Sequence, residues 1–315
     1  MRIEVKNLFR KFGKCLAVND VSFDFSSGSI VGFIGPNGAG KTTAIKIMST
    51  LDLPDSGDVF YDGTSVVLKP DEVRRIIGYM PDSLPDYKDV MVWEYLDFFA
   101  RSFGLKGDER RRTLSDIEEF TSLGEMRYKY LASLSKGMKQ RVSLGRTLIH
   151  NPKVLIMDEP AAGLDPRARL ELRSLLKILS GQGKAILLSS HILSELQDIC
   201  DAAVIVEKGK ILSAGKINNM LAEGEKKRPK SEEVLQIKSL QQSEAVKLKL
   251  MENPLIGKIS VIDENEVHAE FTGDAAAVAE LLRQLNNANI KVVEFTRRGM
   301  GLEELFMRIT SGEVQ

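Results

Sequence analysis

The chain predicts an α/β fold, with a ligand site along one edge of a sheet and a smaller α+β unit later in the sequence. Three observations carry this. A glycine-rich loop, Gly35-Pro36-Asn37-Gly38-Ala39-Gly40-Lys41-Thr42, lies between a short apolar run and a segment of helical spacing. A second apolar run ends in consecutive acids, Asp158-Glu159. Beyond residue 220 the chain turns charged and then resumes as strand-like and helix-like segments in the order β-α-β-β-α-β.

The first element is Ser29 to Ile34, which reads as a buried strand, and Thr43 to Met48 reads as the start of a helix. Strand, glycine loop and helix make an anion nest. Backbone N–H groups of Gly38, Gly40 and Lys41 converge on a phosphate at a positive helix end, Lys41 reaches the β and γ oxygens, and the Thr42 hydroxyl ligates Mg²⁺. The loop therefore binds a nucleoside triphosphate. By itself it does not separate an ATPase from a GTPase or a kinase.

From Val90 to Ala132 the chain is rich in charge and aromatics, with Val92, Trp93, Tyr95, Leu96, Phe98 and Phe99 near helical spacing, so this stretch reads as an inserted helical region whose aromatics are mostly core. After Ser135 a helix carries the apolar stripe Met138, Val142, Leu144 and Leu148, and His150-Asn151-Pro152 ends it, with His150 as a capping residue. Lys153 to Met157 is a buried parallel strand that delivers Asp158 and Glu159 to the carboxyl edge of the sheet. There Asp158 holds Mg²⁺ through its water shell and Glu159 polarises the water that attacks the γ-phosphate. Ala185 to Ser190 is a further buried strand, followed by His191.

These motifs together resemble the ATP-binding cassette family. Leu134-Ser135-x-Gly137 with Gln140-Arg141 looks like its signature loop, Gly163-Leu164-Asp165 like its D-loop, His191 like its switch histidine, and Phe12 sits where the family places an aromatic that stacks on adenine. The match covers roughly residues 1–220. It implies a P-loop NTPase cassette with an inserted helical subdomain at about residues 84–150, working as a head-to-tail dimer that sandwiches two ATP molecules. The implied nucleotide contacts are Phe12, Gly35, Pro36, Asn37, Gly38, Ala39, Gly40, Lys41, Thr42 and Thr43 from one protomer, and Ser135, Gly137, Gln140 and Asp165 from the signature and D-loops. Glu159, His191 and Lys41 are the implied catalytic groups, and Thr42, Asp158 and Asp82 the Mg²⁺ ligands. Asp165 equally reads as the cap of the helix opened by Pro166.

Two positions depart from the family pattern. Asp82 stands where a glutamine is usual after Gly78-Tyr79-Met80-Pro81, which adds negative charge near the phosphates. Lys136 replaces a signature glycine; its side chain either points to solvent, the reading surface lysines favour, or adds a cation near the opposite ATP. In the family a groove between the helical subdomain and the Asp82 segment receives a helix of the membrane subunit, which makes Asp86, Tyr87, Trp93 and Tyr95 its candidate lining.

Residues 221–232 read as a charged linker and 233–315 as an accessory domain of ferredoxin-like order: a strand at Val234 to Lys238, a helix at Ser243 to Leu250, strands near Ile256 to Ile262 and Glu266 to Phe271, a helix at Ala275 to Leu285, a strand at Ile290 to Phe295 and a short closing helix at Gly301 to Phe306. The basic run within the linker reads as solvated spacer, with contact to anionic headgroups the alternative. His268 alternates within a strand and reads as surface.

Across 315 residues, 44 basic and 44 acidic side chains cancel, which gives no global bias toward nucleic acid. No apolar run reaches the ~18 residues of a membrane span, and charges at Arg2, Glu4 and Lys6 interrupt any signal peptide. The two cysteines, Cys15 and Cys200, suit a reducing cytoplasm. The resemblance thus implies the ATP-hydrolysing subunit of an exporter of the multidrug or ABC-2 branch, peripheral on the inner face of the membrane, with separate integral-membrane permease subunits and a second cassette as partners. The reading from a different class is a soluble cassette ATPase that assembles a protein or metal cluster without transport.

Overall fold

A computed structural model describes the chain except residues 86, 194–195, 197, 228–232, 299–300 and 311–315. Asp86 and the last five residues of the expected linker therefore lie outside the described residues. The chain divides into two compact units, one of Met1–Ile217 with the stretch from Phe306, the other of Asn218–Leu305.

The first unit opens with β1 (Arg2–Phe12) and β2 (Cys15–Ser26), a hairpin turned at Gly13. Val21, Phe23 and Phe25 face inward on β2 while Ser22, Asp24 and Ser26 face out, the period of a half-buried strand. Next come β3 (Ile30–Ile34), α1 (Lys41–Met48), β4 (Ser56–Tyr61), β5 (Thr64–Ser65), α2 (Pro70–Arg74) and β6 (Ile77–Met80). Three helices follow, α3 (Val92–Ser102), α4 (Gly107–Phe120) and α5 (Lys136–Leu148). The unit continues with β7 (Val154–Met157), α6 (Pro166–Gly181), β8 (Ala185–Ser190), β9 (Ala202–Glu207) and β10 (Lys210–Lys216).

Two sheets result. β2-β1-β4-β5 is antiparallel, and β10-β9-β3-β8-β7-β6 is parallel apart from its edge strand β10. All five residues of β3, all four of β7 and all six of β8 are buried, as strands covered on both faces must be. Because β3, β6, β7 and β8 run the same way, their carboxyl ends share one edge. One core lies between the two sheets, where Phe23 stacks on Phe33 at 5.5 Å between centroids. A separate core of Val92, Tyr95, Leu96, Ile117, Leu123 and Val142 joins α3, α4 and α5. Phe98, by contrast, is exposed.

The second unit begins within α7 (Ile217–Lys227), so a helix occupies much of the expected linker. Ile217, Met220 and Leu221 have helical spacing and the first two are buried, a signal that the charged residues after them obscured. After it come β11 (Val234–Ser239), α8 (Ser243–Leu250), β12 (Ile256–Val261), β13 (Glu266–Phe271), α9 (Ala275–Asn287) and β14 (Val292–Arg298). The last helix, α10 (Leu302–Ile309), follows. The strands form an antiparallel sheet of order β12-β13-β11-β14 over a core that includes Leu235, Ile237, Phe271 and Leu281. β14 starts later than Ile290, because the Ile290 N–H still bonds to the Leu285 carbonyl at the end of α9. His268 is partly buried and pairs with Glu266 at 2.8 Å, more enclosed than its strand position suggested.

Phe33 is 1 % exposed on the strand that leads into the glycine loop. Phe33→Ala should destabilise the first unit by about 3–5 kcal/mol. Urea unfolding followed by near-ultraviolet circular dichroism measures it, and a loss under about 1 kcal/mol would contradict this packing.

Candidate functional site: a phosphate cradle at the sheet edge

The glycine loop connects β3 to α1 at the shared carboxyl edge. Gly38 and Gly40 adopt φ of 81° and 94°, a region side chains disfavour, and Gly40 is the N-cap of α1. A Cβ on Gly40 would lie 2.0 Å from the Ala17 carbonyl, and one on Gly35 would lie 2.3 Å from that of Val206. The loop is thus pressed against β2 at Gly40 and β9 at Gly35, with no space for a side chain at either glycine. No acid occupies the first turn of α1, so no side chain of the helix itself offsets its positive end.

Lys41 is the first residue of that helix, yet it is 6 % exposed. Its ammonium donates to the Gly35 carbonyl at 2.7 Å and the Pro36 carbonyl at 3.2 Å, and lies 3.6 Å from Glu159 Oε1. Burial pulls its pKa below the ordinary lysine value, while Glu159 and then Asp158 act against the shift.

β7 delivers the acids. Asp158, 4 % exposed, is anchored by its N–H to the Met80 carbonyl of β6. Glu159 turns sharply, with φ 47°. One of its carboxylate oxygens faces Lys41 and the other is 2.8 Å from His191 Nδ1. Ser189 of β8 joins both acids: its hydroxyl donates to Asp158 Oδ1 at 2.6 Å and accepts the Glu159 N–H at 2.8 Å. Burial and the nearby Asp158 push the Tyr79 phenol up to about 12.

The result is a cavity of about 460 Å³ lined by Cys15, Ala17, Asn37 to Thr43, Asp82, Asp158 and Glu159. A larger one of about 630 Å³, lined by Phe103, His150 and Lys184 among others, shares no residue with it and has no anion cradle. Sequence reasoning missed Cys15, Ala17 and Ser189. Only Ser189 left a signal, two hydroxyls closing an apolar strand.

Other expected residues lie elsewhere in the unit. Phe12 is about half exposed, with the Arg10 guanidinium 4.7 Å from its ring centre. Ser135 is exposed as the N-cap of α5, accepting the Met138 N–H at 3.3 Å. A Cβ on Gly137 would lie 3.4 Å from that of Ala168 of α6, and Asp165 caps α6 through the Ala168 N–H at 2.9 Å. Gln140 is buried and donates to the Asp82 carbonyl at 3.0 Å, which makes it a tie between α5 and the Asp82 segment. Lys136 is exposed, its amine beside Gly163. His150 does not cap α5: its Nε2 reaches back 2.7 Å to the Ile77 carbonyl and its ring stacks on Phe103 at 4.1 Å, burial lowering its pKa.

A profile of the ABC transporter family matches residues 18–162. Along nearly its whole length the chain is 31 % identical to Nod factor export ATP-binding protein I of Rhizobium sp. (strain N33), covering 99 % of this chain and 98 % of the relative. The chain belongs to the ABC transporter family. Linearmycin resistance ATP-binding protein LnrL of Bacillus subtilis (strain 168) is 27 % identical over 98 % of both chains. A solved structure described as the ATP-binding subunit of an ABC transporter superposes with a TM-score of 0.65 at 32 % identity, over 71 % of this chain and 93 % of that one. The first unit therefore has the ABC ATPase cassette fold with mixed α/β sheets, and this ABC protein is an ATP-binding, ATP-hydrolysing subunit.

Gly40→Ala combines a positive φ with a Cβ driven into the Ala17 carbonyl. The backbone strain alone is about 1–3 kcal/mol, so affinity for ATP should fall at least about fivefold. Calorimetric titration measures this, and wild-type affinity would show that the loop is not held as described.

Proposed function

We propose that the chain powers export through separate membrane-spanning subunits by hydrolysing Mg-ATP in sites shared between two copies of its cassette. The observation that carries the shared site is the separation of two anion nests within one protomer. The phosphate loop lines the cavity, whereas Ser135 and the start of α5 are exposed and contribute nothing to it. An exposed helix N-terminus with a serine and a glycine is built to meet an anion, so a second protomer's γ-phosphate completes it. Among the described residues no helix is long and apolar enough to cross a membrane, in keeping with a separate permease. The export direction follows the name of the Nod factor export relative.

Within the site, the N–H groups of the loop receive the phosphates and Lys41 exchanges its carbonyl contacts for their β and γ oxygens. Glu159 accepts the proton of the attacking water, and His191, which shares a hydrogen bond with it, orients the carboxylate and meets the γ-phosphate. Phe12 stacks on the adenine from its exposed position at the end of β1. Thr42, Asp158 and Asp82 offer the hard oxygens that suit Mg²⁺. Among the described residues no cluster of three or more acids, histidines or cysteines would hold a metal unaided, which fits an ion bound together with phosphate oxygens. When bound, that ion neutralises charge on the phosphates.

The second unit is read as a ferredoxin-like accessory domain, supported by its β-α-β-β-α-β order and antiparallel sheet. The partners are read as permease and a second cassette at the inner membrane face; the balanced overall charge shows no bias toward nucleic acid.

Glu159→Gln keeps the shape of the side chain and loses the base, so ATP should bind while turnover, assayed with the permease, falls about 10²–10⁴-fold. Wild-type turnover would remove Glu159 from the role. ATP should also hold this variant as a dimer in sedimentation. Adding Ser135→Arg places a bulky side chain against the opposite phosphate and should abolish ATP-dependent dimerisation while leaving ATP binding to the protomer intact. Unchanged dimerisation would exclude Ser135 from the interface.

A further inference from the structure

The last strand before His191 carries a hydroxyl whose surroundings demand an explanation. Ser189 is 0 % exposed in a strand whose other residues are Ala185, Ile186, Leu187, Leu188 and Ser190. Burying a hydroxyl is unfavourable unless both its functions are met. Here they are met by the two acids: a carboxylate cannot donate and an amide N–H cannot accept, so the hydroxyl proton must point at Asp158 Oδ1 and a lone pair at the Glu159 N–H. Neighbouring Ser190 does something different, accepting the Ile192 N–H at 2.9 Å in the turn that follows. Of these two hydroxyls, Ser189's links the acids.

Glu159 needs such a link. Its φ of 47° is disfavoured for any residue with a Cβ, and it also precedes Pro160, a position biased toward extended backbone. Two backbone hydrogen bonds hold it there, the N–H to Ser189 and the carbonyl to the Ala162 N–H at 3.1 Å. The twist sets the direction of the carboxylate toward Lys41 and His191. Ser189 also occupies one oxygen of Asp158, which fixes how that carboxylate is turned.

We propose that Ser189 is a positioning residue, a single hydroxyl that sets the rotation of Asp158 and the backbone twist of Glu159 together. The proposal rests on reading Asp158 as facing the metal and Glu159 as the base. One group thereby couples two functions: a change at Ser189 alters both how the site responds to Mg²⁺ and how fast it turns over, while the phosphate loop remains as it was.

The test uses the full-length protein with Ser189→Ala, and measures binding of a non-hydrolysable ATP analogue by calorimetry, in EDTA and in Mg²⁺, beside ATP turnover. In EDTA the variant should bind within about threefold of wild type, since its loop is untouched; this also reports that the protein is folded. Mg²⁺ should tighten wild-type binding, and that gain should shrink at least about fivefold in the variant, with turnover down at least about tenfold. A variant with the full gain or with normal turnover overturns the proposal. So does equal weakening in EDTA and in Mg²⁺, which marks a collapsed site instead of misaimed acids. Glu159→Gln measured alongside separates the two levels of inference. If it is inactive while Ser189→Ala is normal, only the role of Ser189 fails; if it turns over normally, the assignment of the base fails beneath it.

Discussion

A buried ammonium organises this protein. Lys41 has almost no access to solvent, so its charge must be met by oxygens supplied from the fold: two loop carbonyls and the Glu159 carboxylate. Each supplier imposes a demand. The carbonyls of Gly35 and Pro36 face the lysine only if the loop doubles back, which requires the positive φ of Gly38 and Gly40 and the close approach of β2 and β9. The carboxylate reaches it only if β7 ends beside β3's loop and the chain then twists at Glu159. The arrangement is a cation held ready among weak and exchangeable partners, in a cavity where a phosphate would be the stronger one.

Helix α5, which begins after Ser135, is fixed to the same edge by a row of ties to β6 and the segment after it. Gln140 donates to the Asp82 carbonyl, Arg146 and Thr147 to that of Tyr79, and His150 meets that of Ile77. These acceptors follow one another along the strand toward Asp82, which lines the cavity. α5 and the residue just beyond its end are therefore tied to β6 and the segment after it by side-chain hydrogen bonds to successive carbonyls. Glu171 of α6 pairs with Arg141 of α5 and with Arg167 of its own helix.

Much of the site was legible because its chemistry is local. A phosphate nest needs glycines at fixed offsets, a buried strand needs a continuous apolar run, and two acids after such a run emerge at its carboxyl end; each requirement leaves a mark within ten residues. The second unit was legible for a similar reason, its strands and helices alternating at periods that segment cleanly, with α8 and β13 spanning the expected residues. Where the periods were weak the reading failed. Charges after Leu221 disguised a helix, and the antiparallel sheet of β1, β2, β4 and β5 went unread although β2 alternates from Val21 to Ser26.

By itself, then, the sequence determined the phosphate loop, the acid pair, the order of the signature motifs and the family they imply, since each is a pattern of neighbours along the chain. It could not determine which distant groups would meet. That Ser189 bridges Asp158 and Glu159 from 31 and 30 residues away, that Gln140 turns inward to Asp82 and that His150 stacks on Phe103 are consequences of strand order and of how α5 lies on β6. A lone serine, glutamine or histidine has several ways to satisfy its hydrogen bonds, and local sequence is indifferent among them. Burial removes water as a partner, and only the folded arrangement says which protein group takes its place.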